Sequence, residues 1–170
     1  LDYDYWCHNM ERIFEESNIR RTVVMMTINA LCLFGITDFL DQMMIWKNKY
    51  KHKSIGISIN FLRFPACQAL VTLPDHIRER LANEIEMWYH TNKTDNMLNA
   101  MEKGDIERLI NYIKVVKQGH DFHDDNRNAN VRDFKRFYTQ YDKRRDRTIE
   151  IFPDYFLDWY NDIEAPDVNR

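Results

Sequence analysis

The sequence predicts an α/β fold in which two parallel strands are followed by several α-helices. Two runs of strand length support this prediction. Residues 22–29 are β-branched and apolar without clean alternation, as in strands covered on both faces, and residues 56–64 form a second apolar run that Pro65 ends. A helical pattern over 37–49 lies between them. The three segments therefore form a strand–helix–strand unit, which joins parallel strands by a right-handed crossover.

Apolar spacing predicts the elements of the first half in order. A helix over 4–17 places Trp6, Met10, Ile13 and Phe14 on one face. Thr37 is the predicted cap of the helix over 37–49, with Asp38 in its first turn. The basic stretch 47–53 suits the carboxyl end of that helix, because cations interact favourably with the helix dipole there.

The second half is predicted to be helical. Thr72 is expected to cap a helix that has Pro74 and Asp75 in its first turn and continues to Trp88. A short helical segment is expected around 97–101, and Gly104 and Asp105 open another helix. A polar loop over 118–130 precedes a helix capped by Asn130. The last predicted element is an aromatic segment over 149–160.

Composition excludes several classes of function. The chain has 170 residues, about the size of one domain, and a net charge of −3, which gives no reason to expect a nucleic-acid or membrane-surface role. No apolar run approaches the ~20 residues of a membrane-spanning helix, and the first residues do not resemble a signal peptide. Three widely spaced cysteines are typical of reduced thiols, so we expect a cytoplasmic protein.

Two strands are too few for an independent parallel sheet, whose faces and edges both need partners. Either the helices wrap an unusually small sheet, or further strands lie upstream of Leu1 in a longer polypeptide. The first residue is not methionine, and truncation is the preferred interpretation.

The predicted strands end in polar side chains. Thr27 and Asn29 end the first strand, and Asn60 and Arg63 end the second. Ligands of parallel α/β folds bind at the carboxyl ends of strands, so these residues are candidates for holding a polar ligand, with Arg63 suited to a carboxylate or phosphate. The alternative is structural, because Asn and Thr commonly terminate strands and cap helices.

Three other features admit a functional and a structural interpretation. Histidines and aspartates alternate over 119–125, as in a metal site, but such a loop is also typical of a solvated turn. Residues 141–147 could bind phosphate or nucleic acid, or could be a mixed-charge helix end. Cys67 could be a reactive thiol or cluster ligand, or a buried inert cysteine.

Three stretches together resemble the C-terminal part of radical S-adenosylmethionine (SAM) proteins that contain a twitch domain. The first is Thr-Ile-Asn-Ala-Leu at 27–31 with 37–40 after it, and the second is Asn-Phe-Leu-Arg-Phe-Pro at 60–65 with 71–74. The third is Tyr-Asp-Lys-Arg-Arg at 141–145 with 152–154 and 159–160. Their order spans nearly the whole chain.

The resemblance implies a partial TIM-like (β/α)6 barrel. Residues 1–74 would supply its last two strands, and residues 75–170 an α-helical extension packed on the barrel. Such proteins use a 4Fe–4S cluster and S-adenosylmethionine, with a reductant for the cluster and a small-molecule or peptide substrate. The CxxxCxxC cluster ligands are expected upstream, because this chain has no such motif, so it would be inactive alone.

The resemblance also implies which residues lie near the cofactor or substrate, namely Thr27, Asn29, Asn60, Leu62 and Arg63. Two other functions are open. One is a non-catalytic α/β interaction domain that docks a partner through its aromatic C-terminal helices. The other is the C-terminal half of a different TIM-barrel enzyme, which is weakened because no predicted strand ends in an acid–base residue.

Overall fold

The computed structural model of the chain describes residues 2–94, 96–115, 127–145 and 149–164. Within these ranges, the structure contains six α-helices and a two-stranded sheet. The strands are β1 (Arg21–Ile28) and β2 (Ser54–Phe61), and the helices are α1 (Tyr3–Glu16), α2 (Ile36–Lys49), α3 (Asp75–Asn92), α4 (Ala100–Val115), α5 (Arg127–Arg145) and α6 (Asp154–Asp162). None of the described helices has both the length and the apolar character needed to cross a membrane.

The two strands are parallel, which confirms that part of the predicted fold class. Their register runs from Arg21 opposite Ser54 to Ile28 opposite Phe61, and α2 forms the crossover between them. The Ser54 N–H donates to the Arg20 carbonyl, and the Leu62 N–H donates to the Ile28 carbonyl. The N–H groups of the even-numbered residues of β2 therefore point toward β1. Those of the odd-numbered residues point toward the outer edge of the sheet.

The two faces of the sheet differ in exposure. One face carries Val24, Met26 and Ile28 with the buried Ile55, Ile57 and Ile59, and packs into the helical core. The other, which we call the open face, pairs Val23, Met25 and Thr27 with Gly56, Ser58 and Asn60. Met25 is 75% exposed and Val23 is 43% exposed. The prediction that both faces of β1 are covered is therefore wrong for the described residues.

The helices follow one another around the covered face in chain order. The Trp46 indole N–H of α2 donates to Glu11 of α1 over 3.0 Å. The Trp88 indole N–H of α3 donates to Asp41 of α2 over 2.6 Å. The Tyr89 hydroxyl of α3 donates to Glu107 of α4, also over 2.6 Å. These bonds place α1 at one end of the layer and α4 at the other.

Helix α4 closes the outer edge of β2. The Ile57 N–H donates to Glu102 over 3.1 Å, and the Ile59 N–H donates to Asp105 over 2.9 Å. The Arg108 guanidinium donates to the Ile59 carbonyl. We call Glu102, Asp105 and Arg108 the edge cap, because they satisfy backbone groups that would otherwise pair with a third strand.

Glu102 also joins three other parts of the fold. Its side chain is 1% exposed and lies within 2.5 Å of the Lys47 ammonium, which is 9% exposed. It accepts the Asn99 N–H over 2.9 Å, while the Asn99 side chain accepts the N–H groups of Met101 and Glu102. Asn99 and Glu102 thus form a capping box at the start of α4. The pairing with Lys47 ties that helix start to α2.

The C-terminal helices pack on the loops that follow the strands. The ring of Phe34, just after β1, lies 5.3 Å from Phe152 and 5.0 Å from Phe156 between ring centroids. Phe134 of α5 is fully buried and contacts the Trp159 ring at 5.5 Å. One continuous hydrophobic core therefore contains residues from both predicted parts, 1–74 and 75–170.

Four predicted helix starts are wrong. Helix α2 begins at Ile36 after Gly35, and no side chain caps it, so Thr37 lies inside its first turn. Helix α3 begins after Pro74, and the Thr72 hydroxyl instead donates to the Ala66 carbonyl. Gly104 lies inside α4, because the capping box starts that helix earlier. The predicted loop over 118–130 falls mostly outside the described residues, and α5 begins at Arg127 rather than after Asn130.

The buried Glu102 carboxylate predicts a large loss of stability when it is removed. Glu102→Ala leaves the Lys47 ammonium buried without its anion and the Ile57 N–H without its acceptor. We expect it to lower the free energy of unfolding by about 3–5 kcal/mol, measured by urea denaturation followed by circular dichroism.

Glu16→Ala is the matched control. It breaks the Arg12–Glu16 pair, whose side chains are more than half exposed, and should leave the denaturation midpoint unchanged. Equal effects of the two substitutions would contradict a stabilising role for the buried pair.

Candidate functional site

The predicted site residues lie at the carboxyl end of the sheet. Thr27 and Asn60 are direct partners in the ladder, and both are exposed on the open face. The pairing continues one step further, because the Leu62 N–H donates to the Ile28 carbonyl over 2.9 Å. Leu62 therefore follows Asn60 on the same side by strand alternation. The structure brings these three positions together as predicted from their order in the chain.

Asn29 has a structural role in addition to its position near this edge. Its side-chain oxygen accepts the N–H groups of Leu31 and Cys32, both over 2.9 Å. These bonds fold the chain into a side-chain-stabilised turn just before the short 3-10 turn Cys32–Gly35, which leads into α2. The side-chain oxygen is already engaged, so hydrogen bonding to a ligand would fall mainly to the amide NH2 group.

Arg63 lies in the loop that follows β2 and is exposed. Among the described residues it has no ion-pair partner, which leaves its guanidinium accessible to an anionic ligand group. The adjacent Phe64 ring is 85% exposed. The loop thus presents one cation and one aromatic ring beside Asn60 and Leu62.

A cleft of about 660 Å³ opens beside the carboxyl end of β1. Its walls come from three separated segments: residues 26–28 of β1, the segment 31–39, and residues 151–153. The walls are mainly apolar, and among the described lining residues only Thr27 and Cys32 have polar side chains. Sequence reasoning missed this cleft, because no local pattern relates Phe34 to Phe152, more than a hundred residues apart.

The loops after the two strands are held together near two cysteines. The Ala30 N–H donates to the Gln68 carbonyl over 3.0 Å, which joins the segment containing Cys32 to the one containing Cys67. Cys32 is exposed and Cys67 is half-buried. Burial raises the pKa of the Cys67 thiol, which lowers its thiolate fraction and favours the inert interpretation of this cysteine.

Metal binding has no support in the described part of the chain. Within residues 2–94, 96–115, 127–145 and 149–164, no group of three or more His, Cys, Asp or Glu side chains could hold an ion. The His and Asp cluster at 119–125 lies outside the described residues, so its interpretation stays a prediction. The segment 141–145 forms the end of α5, where Arg145 lies over the Tyr141 ring at 5.0 Å.

The two asparagines of the site should differ in their contribution to stability. Asn29→Ala removes the acceptor of two backbone N–H groups and should lower the free energy of unfolding by about 1 kcal/mol. Asn60→Ala removes an exposed side chain, and its effect should stay within about 0.5 kcal/mol. Urea denaturation measures both, and a larger loss for Asn60→Ala would contradict the assignment.

The cysteines should differ in their rates of alkylation. With iodoacetamide at pH 8, we expect Cys32 to react several times faster than Cys67, because Cys32 is exposed whereas burial keeps Cys67 protonated. Raising the pH above 8 should increase the alkylation rate of Cys67, because its raised pKa keeps more of this thiol protonated at pH 8. Mass spectrometry of tryptic peptides measures each site, and a faster reaction at Cys67 would contradict the prediction.

Comparisons with known proteins give no family assignment for this chain. A search with protein-family models, with curated proteins and with solved structures returned no match. The assignment of a function therefore depends on the residues and on their geometry.

Proposed function

We propose that this chain is the C-terminal part of a radical SAM enzyme, in which β1 and β2 are the last two strands of a partial (β/α)6 barrel. The observation that carries the proposal is the difference between the two edges of the sheet. An open barrel needs a last strand whose outer edge is closed and a preceding strand whose outer edge accepts further strands.

The edge cap supports β2 as the last strand. Glu102 and Asp105 accept the outward N–H groups of Ile57 and Ile59, and Arg108 donates to the outward carbonyl of Ile59. A further strand would have to break all three hydrogen bonds and displace a buried carboxylate. The sheet is therefore closed to growth on this side.

The position of α1 supports further strands beyond β1. In the described residues, no strand pairs with the outer edge of β1. Helix α1 lies in the same layer as α2, at the end opposite α4. If α1 is itself the crossover of a right-handed unit, the strand that precedes it lies parallel to β1 on that free edge.

The composition of the open face supports it as the inner face of a barrel. In barrels of this kind the helices lie outside and the active site collects at the carboxyl ends of the strands. Toward that end, the open face presents the neutral Thr27, Ser58 and Asn60, whose side chains can hydrogen-bond hydroxyl and amine groups. Such side chains suit the ribose and adenine of S-adenosylmethionine.

The chemistry itself would come from groups outside this chain. When bound, an upstream 4Fe–4S cluster would supply the reducing electron for radical chemistry on S-adenosylmethionine. In this proposal Thr27, Asn60 and Leu62 position the cofactor or the substrate, and Arg63 binds an anionic group. The three cysteines of this chain are too far apart for a CxxxCxxC motif.

The alternative is an interaction domain that docks a partner through its aromatic C-terminal helices. Three rings of those helices are engaged within the chain: Phe134 and Phe156 are fully buried, and Tyr160 is 3% exposed. Phe137 and Tyr141 of α5 are 41% and 37% exposed and would be the aromatic side chains offered to a partner. We prefer the radical SAM proposal because docking through these helices assigns no role to the difference between the two sheet edges.

The test uses the longer polypeptide that the proposal requires, reconstituted anaerobically with iron and sulfide. Under dithionite it should convert S-adenosylmethionine to 5′-deoxyadenosine, measured by liquid chromatography. Asn60→Ala should raise the Kd for S-adenosylmethionine about tenfold, because one hydrogen bond to the cofactor is lost.

Asn128→Ala is the matched control, since Asn128 is an exposed asparagine on α5, away from the sheet. It should bind S-adenosylmethionine like the unchanged protein. The proposal would be overturned if the polypeptide neither assembled a cluster nor cleaved S-adenosylmethionine. Equal effects of the two substitutions on the Kd would show that Asn60 does not contact the cofactor.

A further inference from the structure

We infer that the cleft beside the carboxyl end of β1 is a binding site for a small, uncharged molecule that carries an aromatic ring system. The cleft lies on the flank of β1 rather than on the open face, and it shares only Thr27 with the predicted cofactor-proximal residues. Binding there requires neither a cluster nor S-adenosylmethionine. The inference therefore goes beyond the proposed function and does not depend on it.

The size and the chemistry of the walls define the ligand. A volume of about 660 Å³ is within the range of small-molecule sites, which are typically apolar with a few polar groups. None of the lining residues within the described part of the chain is Asp, Glu, Lys or Arg, so a charged ligand would lose its hydration there without compensation from them. The Cys32 thiol can hydrogen-bond a polar substituent.

Aromatic rings favour an aromatic ligand over an aliphatic one. The half-buried rings of Phe34, Phe39 and Phe152 belong to the walls, and Phe34 and Phe152 meet edge to face at 76°. A planar ring that enters the cleft can contact these rings by offset stacking or edge-to-face packing, which adds to the gain from burial. The ring edges that remain accessible are thus available to a third ring.

Gly35 gives a position at which the wall of the cleft can be changed. This wall residue has φ −116°, which any residue adopts, and a Cβ atom added there would meet no atom within 4 Å. Neither backbone conformation nor crowding therefore opposes a larger side chain at this position.

The test measures binding of N-phenyl-1-naphthylamine, an uncharged aromatic fluorophore, to the 170-residue chain. We expect saturable binding at one site. Gly35→Phe should place a ring into the cleft and weaken binding about tenfold or more, while the charged analogue 8-anilino-1-naphthalenesulfonate should bind more weakly than the neutral probe.

Gly104→Phe is the matched control. Gly104 lies inside α4, away from the cleft, and an added Cβ atom there also meets nothing within 4 Å. It should bind the probe like the unchanged chain, and both variants should keep the thermal midpoint. Loss of binding in both variants, or in neither, would overturn the inference.

A second readout does not depend on the folding of a variant. Cys32 lines the cleft whereas Cys7 lies on α1, so bound probe should slow the alkylation of Cys32 and leave the rate at Cys7 unchanged. Equal protection of both thiols would overturn the inference. So would loss of binding in the longer polypeptide of the proposed function, because a segment of protein would then occupy the cleft.

Discussion

The buried carboxylate of Glu102 is the interaction on which the rest of the fold depends. It neutralises Lys47 of α2, accepts a backbone N–H from β2 and completes the capping box at the start of α4. A buried carboxylate without these partners would cost several kcal/mol of desolvation. Because the partners come from a crossover helix, a strand and a helix terminus, this residue fixes how α4 approaches the sheet.

This constraint makes the sheet asymmetric. On the β2 side, side chains of one helix replace the backbone of a neighbouring strand. On the β1 side, the described residues supply no such replacement, and the adjacent open face carries the exposed Met25 and Val23. Side chains thus satisfy the outward groups of β2, while no strand of the described residues pairs with the outer edge of β1. The proposed partial barrel would account for this difference, because its preceding strand would pair with β1.

The strands, their direction and the main helices could be predicted from the sequence, since apolar runs and helical spacing are local signals. Thr27 and Asn60 could be assigned to the ends of the two strands, whereas their pairing in the ladder was not predicted. The start of α4 was misplaced at Gly104, although the pair Asn99 and Glu102 is a readable capping signal. Neither the pairing of Glu102 with β2 nor the cleft between Phe34 and Phe152 could be predicted, since both depend on segments tens of residues apart.

The edge cap has a consequence for the design of sheet proteins. Glu102 and Asp105 are three residues apart on a helix, about 4.5 Å along its axis, whereas the two N–H groups that they accept are about 6.6 Å apart along the strand. Carboxylate side chains of different length bridge that difference, the longer one reaching Ile57 and the shorter one Ile59. A Glu-x-x-Asp pair in the first turns of a helix is thus a transferable way to protect a bare strand edge without proline, a bulge or a surface lysine.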